Sequence, residues 1–323
     1  MMSVEEILKK VYDNGILPVI AINDADCAIP LAQACMETGL EAIEITFRTE
    51  CAGEAMRNIK KAYPEMLLGA GTVLRPEQVD EAIDCGADFI VTPGFNPDVV
   101  KYAVDKNIPI VPGVSCASQV EQAMSLGLST VKFFPAEQSG GVPMLKALSG
   151  PYKTIKFIPT GGMTFDNFTT YTNLPNVVAI GGSFLISKKN IADKNVEAMK
   201  AEIIPVIDKL MGIRLHHIGL NCGDQEKALQ IAKTLQAFFN YPYNEGNSSI
   251  FSGNKEFELM KKPGRGTNGH IALSVSDIDR AKHFLEKRGV EFDEESLVIK
   301  DGKKIAIYLK EEIGGYAFHL MKI

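Results

Sequence analysis

The feature that most constrains the fold is a series of short apolar runs that recurs through the first 212 residues. The runs begin about 20 to 25 residues apart, and segments with helical periodicity separate them. Short apolar runs that alternate with helix-like segments predict βα units whose strands are parallel. The eight runs are Leu17–Ile22, Ala42–Thr46, Met66–Gly69, Phe89–Thr92, Ile108–Val111, Thr130–Phe134, Ile155–Pro159 and Val177–Ile180.

Eight βα units of this size predict an α/β fold, a (β/α)8 TIM barrel over residues 1–212. A doubly wound open sheet is the alternative, but it usually has a glycine-rich turn after its first strand, and Ile22–Asp26 is not such a turn. Ser3–Glu6 has the pattern of a capping box, which predicts that a short helix begins there. In a barrel, functional residues are expected at the C-terminal ends of the strands.

A lysine, Lys132, lies inside the sixth apolar run. An amine that is enclosed without an ion-pair partner loses its proton easily, and a neutral amine condenses with ketones to form a Schiff base. Glu44 lies in the middle of the second run and is expected either to pair with Lys132 or to move protons beside it. The alternative is a lysine whose ammonium group reaches water at the strand end. Lys156 is set aside because it lies near the start of its strand.

Several strand ends carry residues suited to an anionic substrate. Arg48 can bind a carboxylate through two hydrogen bonds, and Thr72 adds a hydroxyl donor. The pairs Gly161-Gly162 and Gly181-Gly182 let backbone amides approach an anion, and the helices that follow are expected to point their positive ends at it. Together with Ser183, these turns predict a phosphate site. The alternatives are a surface salt bridge for Arg48 and ordinary turns for the glycines.

Five strings at these strand ends resemble those of the class I aldolases that cleave 2-keto-3-deoxy-6-phosphogluconate (KDPG) and 4-hydroxy-2-oxoglutarate (KHG). Their order and spacing are kept from about residue 3 to about residue 210. Phe184 stands where that family often has tryptophan. The strings are Glu44–Thr49, Gly69–Val73, Val131–Glu137, Pro159–Gly162 and Gly181–Phe184.

The resemblance implies that Lys132 is the Schiff-base lysine and that Glu44 is the proton shuttle. It implies no cofactor for the aldolase, because the imine serves as the electron sink, and it implies a homotrimer. An isomerase-like phosphosugar barrel is the alternative, which would bind phosphate at the same turns but form no imine. The implied substrate-binding residues are Arg48, Thr72 and Pro93 for the pyruvate half, with Thr160, Gly161, Gly162, Gly182 and Ser183 towards the phosphate.

Composition limits the classes of binding partner and the cellular compartment that are expected for the chain. The net charge is −6 and no block of like charges occurs, which argues against nucleic acid or an anionic membrane as a partner. Six cysteines without a CxxC pair are typical of reduced thiols in a cytoplasmic protein. No secretory leader is visible at the start, and no apolar run reaches the roughly 18 residues that span a bilayer. A small 2-keto acid is the expected substrate.

A second domain is predicted over residues 214–323. All five histidines lie beyond residue 213, and Met211–Ile213 is the predicted joint. A strand, a helix and further short strands follow in an order that recurs, which predicts a smaller α+β domain of tandem βαβββ modules. The predicted elements are Arg214–Leu220, Gln225–Phe239, Ile250–Gly253 and Glu256–Met260, then Gly269–Val275, Asp277–Arg288, Val298–Lys300, Lys304–Leu309 and Tyr316–Met321.

This order resembles the vicinal oxygen chelate superfamily, which includes glyoxalases and extradiol dioxygenases. The resemblance implies a divalent metal ion held by His217, Glu258, His270 and His319, and this donor set suits Zn²⁺, Ni²⁺, Mn²⁺ or Fe²⁺. The alternative is the same fold without a metal. The domain would then be an accessory to the aldolase or a binding or assembly module, whereas a metal favours a second enzyme.

Overall fold

The structure is a computed structural model that describes residues 4–322. The chain divides into two compact units, of which the first ends at Leu210 and the second begins at Met211. The predicted role of Ser3 as a helix cap lies outside the described residues.

The first unit is an α/β fold in which every strand pairing is parallel. Its helices are α1 (Val4–Asn14), α2 (Ala28–Thr38), α3 (Ala52–Ala62), α4 (Pro76–Asp84), α5 (Pro97–Asp105), α6 (Ala117–Ser125), α7 (Gly141–Leu148), α8 (Phe168–Thr172), α9 (Lys188–Ala192) and α10 (Val196–Met211). Its strands are β1 (Ile16–Ile20), β2 (Ala42–Thr46), β3 (Leu67–Gly71), β4 (Phe89–Val91), β5 (Ile110–Val111), β6 (Gly113–Val114), β7 (Thr130–Phe133), β8 (Lys156–Pro159) and β9 (Ile180–Gly182).

The pairings of these strands run in a continuous series. One sheet has the order β5-β4-β3-β2-β1-β9 and the other has the order β6-β7-β8. Pro112, which has no N–H to donate, lies between β5 and β6, and its carbonyl accepts a hydrogen bond from Lys132 N. An isolated parallel bridge joins Thr160, directly after β8, to Gly181 in β9. The series therefore runs from β1 through β8 and returns to β1 through β9.

Burial explains why the sequence shows apolar runs rather than alternation. Every residue of β1, β2 and β3 is buried, as expected for parallel strands that are covered on both faces. In α3, by contrast, only one face is buried, and Glu54, Arg57 and Lys61 on the other face are exposed. A charged side chain within β2 is therefore enclosed, so it needs a partner inside the unit.

The described part of the second unit, residues 211–322, contains one mixed eight-stranded sheet and two helices. Its elements are β10 (Arg214–Asn221), α11 (Gln225–Phe239), β11 (Tyr243–Glu245), β12 (Ser249–Ser252), β13 (Phe257–Met260), β14 (Gly269–Val275), α12 (Ile278–Lys287), β15 (Phe292–Lys300), β16 (Lys303–Ile313) and β17 (Tyr316–Lys322). A strand, a helix and three strands therefore occur twice in this order. The sheet order is β11-β12-β13-β10-β14-β17-β16-β15, in which β10 pairs in parallel with β13 and β14 pairs in parallel with β17.

Two strands of this unit differ most from the sequence prediction. β11 was not among the predicted strands; two of its three residues are exposed, so it has no apolar pattern. β15 begins at Phe292 rather than Val298, and its ladder with β16 contains register shifts that interrupt the alternation. Among residues 4–322, no helix combines the length and apolar character that crossing a bilayer requires.

Candidate active site and candidate metal centre

The first candidate site is built around Lys132 in β7 and Glu44 in β2. Lys132 Nζ lies 3.1 Å from Glu44 Oε1 and 3.3 Å from Glu44 Oε2. Lys132 is 6% exposed and Glu44 is 1% exposed, so the pair is almost completely removed from water. The sequence left two arrangements open for Lys132, and the structure has the paired one rather than an amine that reaches solvent.

A glycine makes room for this pair. A Cβ atom at Gly71 would lie 2.2 Å from Glu44 Oε1, so no larger residue fits there without moving the carboxylate. The Phe134 ring covers the amine, with its centroid 5.7 Å from Lys132 Nζ. Proton transfer from the ammonium group to Glu44 would give a neutral amine and a carboxylic acid without changing the net charge of the site. The pair can therefore supply a nucleophile and a proton acceptor together.

Arg48 follows the end of β2 and is exposed. Its Nε donates to Thr46 Oγ1 at 3.1 Å, and Thr46 Oγ1 donates to Ile20 O at 3.2 Å. Within residues 4–322, Arg48 has no carboxylate within salt-bridge distance, so the alternative of a surface salt bridge is not supported. Its guanidinium group is oriented through Thr46 and keeps donors that could bind an anion.

Thr72 follows β3, which is next to β2 in the sheet order, and Pro93 follows β4, which is next to β3. Thr72 has a φ of 61°, a left-handed conformation that β-branched residues rarely adopt and that is most often seen at functional sites. Thr92 fixes the turn that contains Pro93, because its hydroxyl donates to Gly94 O at 2.7 Å and accepts from Gly113 N at 3.1 Å. Arg48, Thr72 and Pro93 therefore lie at the same end of three adjacent strands.

The turn after β8 contains the first glycine pair, Gly161 and Gly162, with φ values of 98° and 79°. Its carbonyl groups are held by the chain: Glu137 N donates to Gly161 O at 3.2 Å, and Asn167 Nδ2 donates to Gly162 O at 3.0 Å. Thr160 is buried, and a Cβ atom at Gly181 would lie 2.2 Å from its hydroxyl oxygen. Thr160 and the two glycine turns are therefore adjacent.

The helices that follow these turns are short. α8 begins six residues after Gly162 and α9 begins six residues after Gly182, and each has only five residues. Ser183 is exposed directly after β9, whereas Gly182 is buried. That the helices point their positive ends at these turns stays a prediction.

A model of the family "Aldolase: KDPG and KHG aldolase" matches residues 4–202. The chain belongs to this aldolase family. The prediction that its first part is an aldolase, and hence a lyase, is confirmed. The match ends before Met211, so the family assignment concerns the first unit.

Individual relatives agree with this assignment. A 2-dehydro-3-deoxy-phosphogluconate aldolase from Haemophilus influenzae is 47% identical over 204 residues, which are 63% of this chain and 96% of that protein. A KHG/KDPG aldolase from Escherichia coli K12 is 43% identical over 171 residues, covering 53% of this chain and 80% of that protein. The crystal structure of a Legionella pneumophila KDPG aldolase, with pyruvate captured as a covalent carbinolamine intermediate, aligns with a TM-score of 0.61 at 34% identity. That alignment covers 64% of this chain and 98% of the Legionella protein.

Outside the part matched by the aldolase family, the second unit brings three buried histidines together. His217 in β10, His270 in β14 and His319 in β17 come from neighbouring strands and are 6%, 5% and 7% exposed. Each offers a ring nitrogen, and these nitrogens lie within 4.8 Å of one another. Three buried imidazoles that converge in this way are suited to bind a divalent metal ion.

Glu258 in β13 lies at the same place. His217 Nε2 and His270 Nε2 are 3.1 Å apart, and Glu258 Oε2 lies 3.3 Å from the first and 3.1 Å from the second. These three atoms form a nearly equilateral triangle. Atoms bound at about 2.1 Å to one ion are about 3.0 Å apart at right angles and about 3.4 Å apart at tetrahedral angles. The triangle therefore has the dimensions that a shared metal ion requires.

Electrostatics at Glu258 also suit a cation. Burial opposes ionisation of this carboxyl group, but hydrogen bonds with His217, His270 and Ser249 outweigh it and hold its pKa below the usual range. Ser249 Oγ donates to Glu258 Oε1 at 2.6 Å, which leaves Oε2 directed at the imidazoles. A Cβ atom at Gly219 would lie 2.1 Å from the His270 ring, so a glycine makes room here too.

His319 distinguishes this cluster from an ordinary hydrogen-bonded core. Within the described part of the chain, neither ring nitrogen has a hydrogen-bond partner, although both are buried. The Tyr308 ring stacks on it at 4.7 Å between centroids. Burial, and after it the neighbouring His270 and His217, lower the pKa of His319 to about 4, so this imidazole is neutral at pH 7. Buried polar groups normally have partners, so both ring nitrogens require an explanation.

The remaining residues singled out in the sequence have structural roles. Lys156 Nζ donates to Pro175 O at 3.0 Å at the start of β8, which agrees with setting it aside. His216 Nδ1 lies 2.7 Å from His217 Nδ1 and so helps to orient that ring. His283 packs edge-on against Phe284 in α12, away from the cluster.

Sequence reasoning missed the residues that support the candidate active site. Thr46 and Thr92 orient the strand ends, while Glu137 and Tyr171 are hydrogen-bonded beside the Gly162 turn. Thr46 and Glu137 lie inside the strings that resemble aldolases, so their position was a usable signal. No signal in the sequence pointed to Tyr171, because its hydrogen-bond partner lies 34 residues away along the chain.

Proposed function

We propose that the first unit is a class I aldolase that cleaves KDPG to pyruvate and glyceraldehyde 3-phosphate, and KHG to pyruvate and glyoxylate. The observation that carries this proposal is the buried pair of Lys132 and Glu44, 3.1 Å apart, in a chain of the aldolase family. The cyclic series of parallel pairings supports a complete (β/α)8 barrel, whose C-terminal strand ends hold the site.

The reaction begins when Glu44 accepts a proton from Lys132. The neutral amine adds to the C2 ketone of the substrate, Glu44 returns its proton so that the C2 oxygen leaves as water, and a protonated imine remains. The C4 hydroxyl then loses its proton to the regenerated Glu44 carboxylate, the C3–C4 bond breaks, and C4 leaves as the aldehyde while the electron pair of that bond moves into an enamine. Protonation of C3 and addition of water release pyruvate and the free amine. The imine is the electron sink, so the proposed reaction needs no metal ion.

The substrate is held at both ends by the strand-end residues. Arg48 binds the carboxylate and carbonyl half of the substrate, together with Thr72 and the Pro93 turn. The free donors of the Arg48 guanidinium group support this role. Thr160 and the two glycine turns, Gly161-Gly162 and Gly182-Ser183, receive the phosphate end. KHG has no phosphate and would use only the first set.

Covalent trapping tests this proposal. Borohydride added with pyruvate should reduce an imine at Lys132, which peptide mass spectrometry would locate, and Lys132→Ala should abolish both labelling and cleavage. Lys156→Ala is the matched control and should still be labelled. Labelling that persists in Lys132→Ala would refute the assignment, and cleavage of neither KDPG nor KHG by the wild type would refute the substrates.

We also propose that the aldolase is a homotrimer, as the family resemblance implies. Light scattering coupled to size-exclusion chromatography should give three times the chain mass of 35.2 kDa. A monomer at micromolar concentration would contradict this proposal.

For the second unit we infer two tandem βαβββ modules that hold one divalent metal ion through His217, Glu258, His270 and His319. The near-equilateral triangle of donor atoms and the unpartnered nitrogens of His319 support this inference. A fold without a metal would leave two buried imidazole nitrogens without partners, which is costly. The donor set therefore fits a divalent ion.

A bound ion would act as a Lewis acid towards an oxygenated small molecule, which favours a second, metal-dependent activity over an assembly module. In that activity, Ser249 keeps Glu258 directed at the ion, His216 orients His217, and Tyr308 shields His319 from water. Metal analysis of the purified chain distinguishes a metal-dependent enzyme from an accessory or assembly module. About one equivalent of metal that is lost in His217→Ala and His270→Ala supports the site, whereas metal-free protein with full aldolase activity favours an accessory or assembly role.

A further inference from the structure

The proposed phosphate turn of the first unit has an acidic residue packed on it. Glu137, in the loop between β7 and α7, donates its backbone N–H to Gly161 O. Its methylene groups cover Gly162 so closely that a Cβ atom there would lie 2.4 Å from Glu137 Cγ. A carboxylate this close to a phosphate would repel it, so the direction of the Glu137 side chain matters.

Tyr171 in α8 determines that direction. Its hydroxyl donates a hydrogen bond to Glu137 Oε1, and Tyr171 itself is 1% exposed. Burial, and then the hydrogen bond to Glu137, raise the pKa of Tyr171, so the tyrosine remains the donor. The Glu137 methylenes therefore face Gly162 while the carboxylate turns towards Tyr171.

A third glycine shows that this arrangement is built into the fold. A Cβ atom at Gly141, the first residue of α7, would lie 2.9 Å from the Tyr171 hydroxyl oxygen. Gly141 N also donates to Ala136 O at 2.9 Å, which closes the loop around Glu137. Within residues 4–322, the Gly162 amide makes no hydrogen bond with the chain, so a released Glu137 carboxylate could accept from it in place of phosphate.

We propose that Tyr171 is a positioning residue that holds the Glu137 carboxylate away from the Gly162 amide and thereby gives the aldolase its preference for a phosphorylated substrate. This inference rests on the proposed function, because it assigns the Gly161-Gly162 turn to the phosphate. It predicts an effect on phosphate recognition that is separate from imine chemistry at Lys132.

The test compares two substrates in three variants. Tyr171→Phe keeps the ring but frees Glu137, so KM for KDPG and the inhibition constant of inorganic phosphate should both rise about tenfold. Kinetics with KHG and borohydride trapping of pyruvate should stay at the wild-type level. Adding Glu137→Gln to Tyr171→Phe removes the negative charge and should restore most of the lost phosphate affinity. Raising the ionic strength should reduce the defect of Tyr171→Phe, because salt screens the repulsion.

Tyr152→Phe is the matched control, because it also removes a tyrosine–glutamate hydrogen bond, to Glu121, at 2.8 Å. It should leave every kinetic constant unchanged. Unchanged KM for KDPG in Tyr171→Phe overturns the inference, and so does an equal rise for KDPG and KHG or a failure of Glu137→Gln to restore affinity. Failure of the wild type to trap pyruvate at Lys132 would instead overturn the proposed function.

Discussion

The two candidate sites differ in how their buried polar groups are satisfied. In the first unit, Lys132 and Glu44 have opposite charges and lie 3.1 Å apart, so each is the partner of the other. In the second unit, one carboxylate faces three imidazoles, and His319 has no partner within the described residues. Because buried polar groups need partners, the first site is electrostatically complete within the chain, whereas the donors of the second would be completed by a cation.

This difference separates the chemistry expected of the two units. The lysine–glutamate pair can exchange a proton without changing its net charge, so it can switch between an ion pair and a nucleophile with an adjacent acid. The histidine cluster has no basic amine in it and offers lone pairs instead, which suits coordination. Each of the following predictions tests this contrast between the two sites.

The largest effect is expected from Lys132→Met. Cleavage should fall at least about 10⁴-fold, because the imine cannot form. The free energy of unfolding should also fall by about 3–5 kcal/mol, because Glu44 is left buried without a partner. Pyruvate release and denaturant unfolding measure the two effects.

The double variant Lys132→Met with Glu44→Gln controls for the unpaired charge. It should regain most of the lost stability while remaining inactive. If Lys132→Met alone were as stable as the wild type, the pair would not be the mutually satisfied unit that the comparison requires.

Glu44→Gln should have the next largest effect. Turnover should slow by about 10²-fold, because the amide cannot accept the C4 hydroxyl proton. Borohydride trapping of pyruvate at Lys132 should persist, since an enclosed amine without its ion-pair partner loses its proton to water. An unchanged turnover rate would show that another group moves the proton and that Glu44 serves only as a counter-ion.

The local sequence pattern predicted the helices and strands better than it predicted which buried polar side chains have partners. Ala42–Thr46, Gly269–Val275 and Gln225–Phe239 have the bounds predicted from the sequence, because apolar periodicity reports on the local backbone. The short strand Tyr243–Glu245 was missed, since two of its residues are exposed and it is held only by its pairing with a neighbour.

Site residues could be predicted from the sequence where the residue type and its position within a strand were enough to indicate a function. Lys132 in an apolar strand and the four candidate metal ligands could be proposed from the sequence, with family resemblance for the ligands. The hydrogen bond from Tyr171 to Glu137 and the unpartnered state of His319 could not, because both depend on how distant parts of the chain pack together. The left-handed conformation of Thr72 is likewise invisible in the sequence, because β-branched residues rarely adopt it.

His319→Ala tests the other half of the comparison. Metal affinity should fall about 100-fold, because a ligand is removed and the cavity opens to water. Metal added at about 100 times its Kd should raise the unfolding free energy of the wild type by about 2.7 kcal/mol, and the variant should lose most of this gain. Calorimetric titration and thermal unfolding measure both quantities.

Aldolase turnover should be unchanged in His319→Ala, and His283→Ala is the control that removes a histidine outside the cluster. A wild type that binds no metal while remaining folded would show that the second unit tolerates its unpartnered imidazole. The contrast drawn between the two sites would then be wrong.

The smallest effect, and the sharpest comparison, comes from two glycines that make room for the two sites. A Cβ atom at Gly71 would lie 2.2 Å from Glu44 Oε1, and one at Gly219 would lie 2.1 Å from the His270 ring. Each change to alanine should cost about 1–3 kcal/mol of stability, because a buried side chain must move. Gly71→Ala should slow the aldolase without changing metal affinity, and Gly219→Ala should do the reverse. Gly150→Ala, whose nearest contact would be 3.4 Å away, is the control and should change neither. A glycine variant that impaired both sites would show that they are coupled, so each site could no longer be explained by its own partners alone.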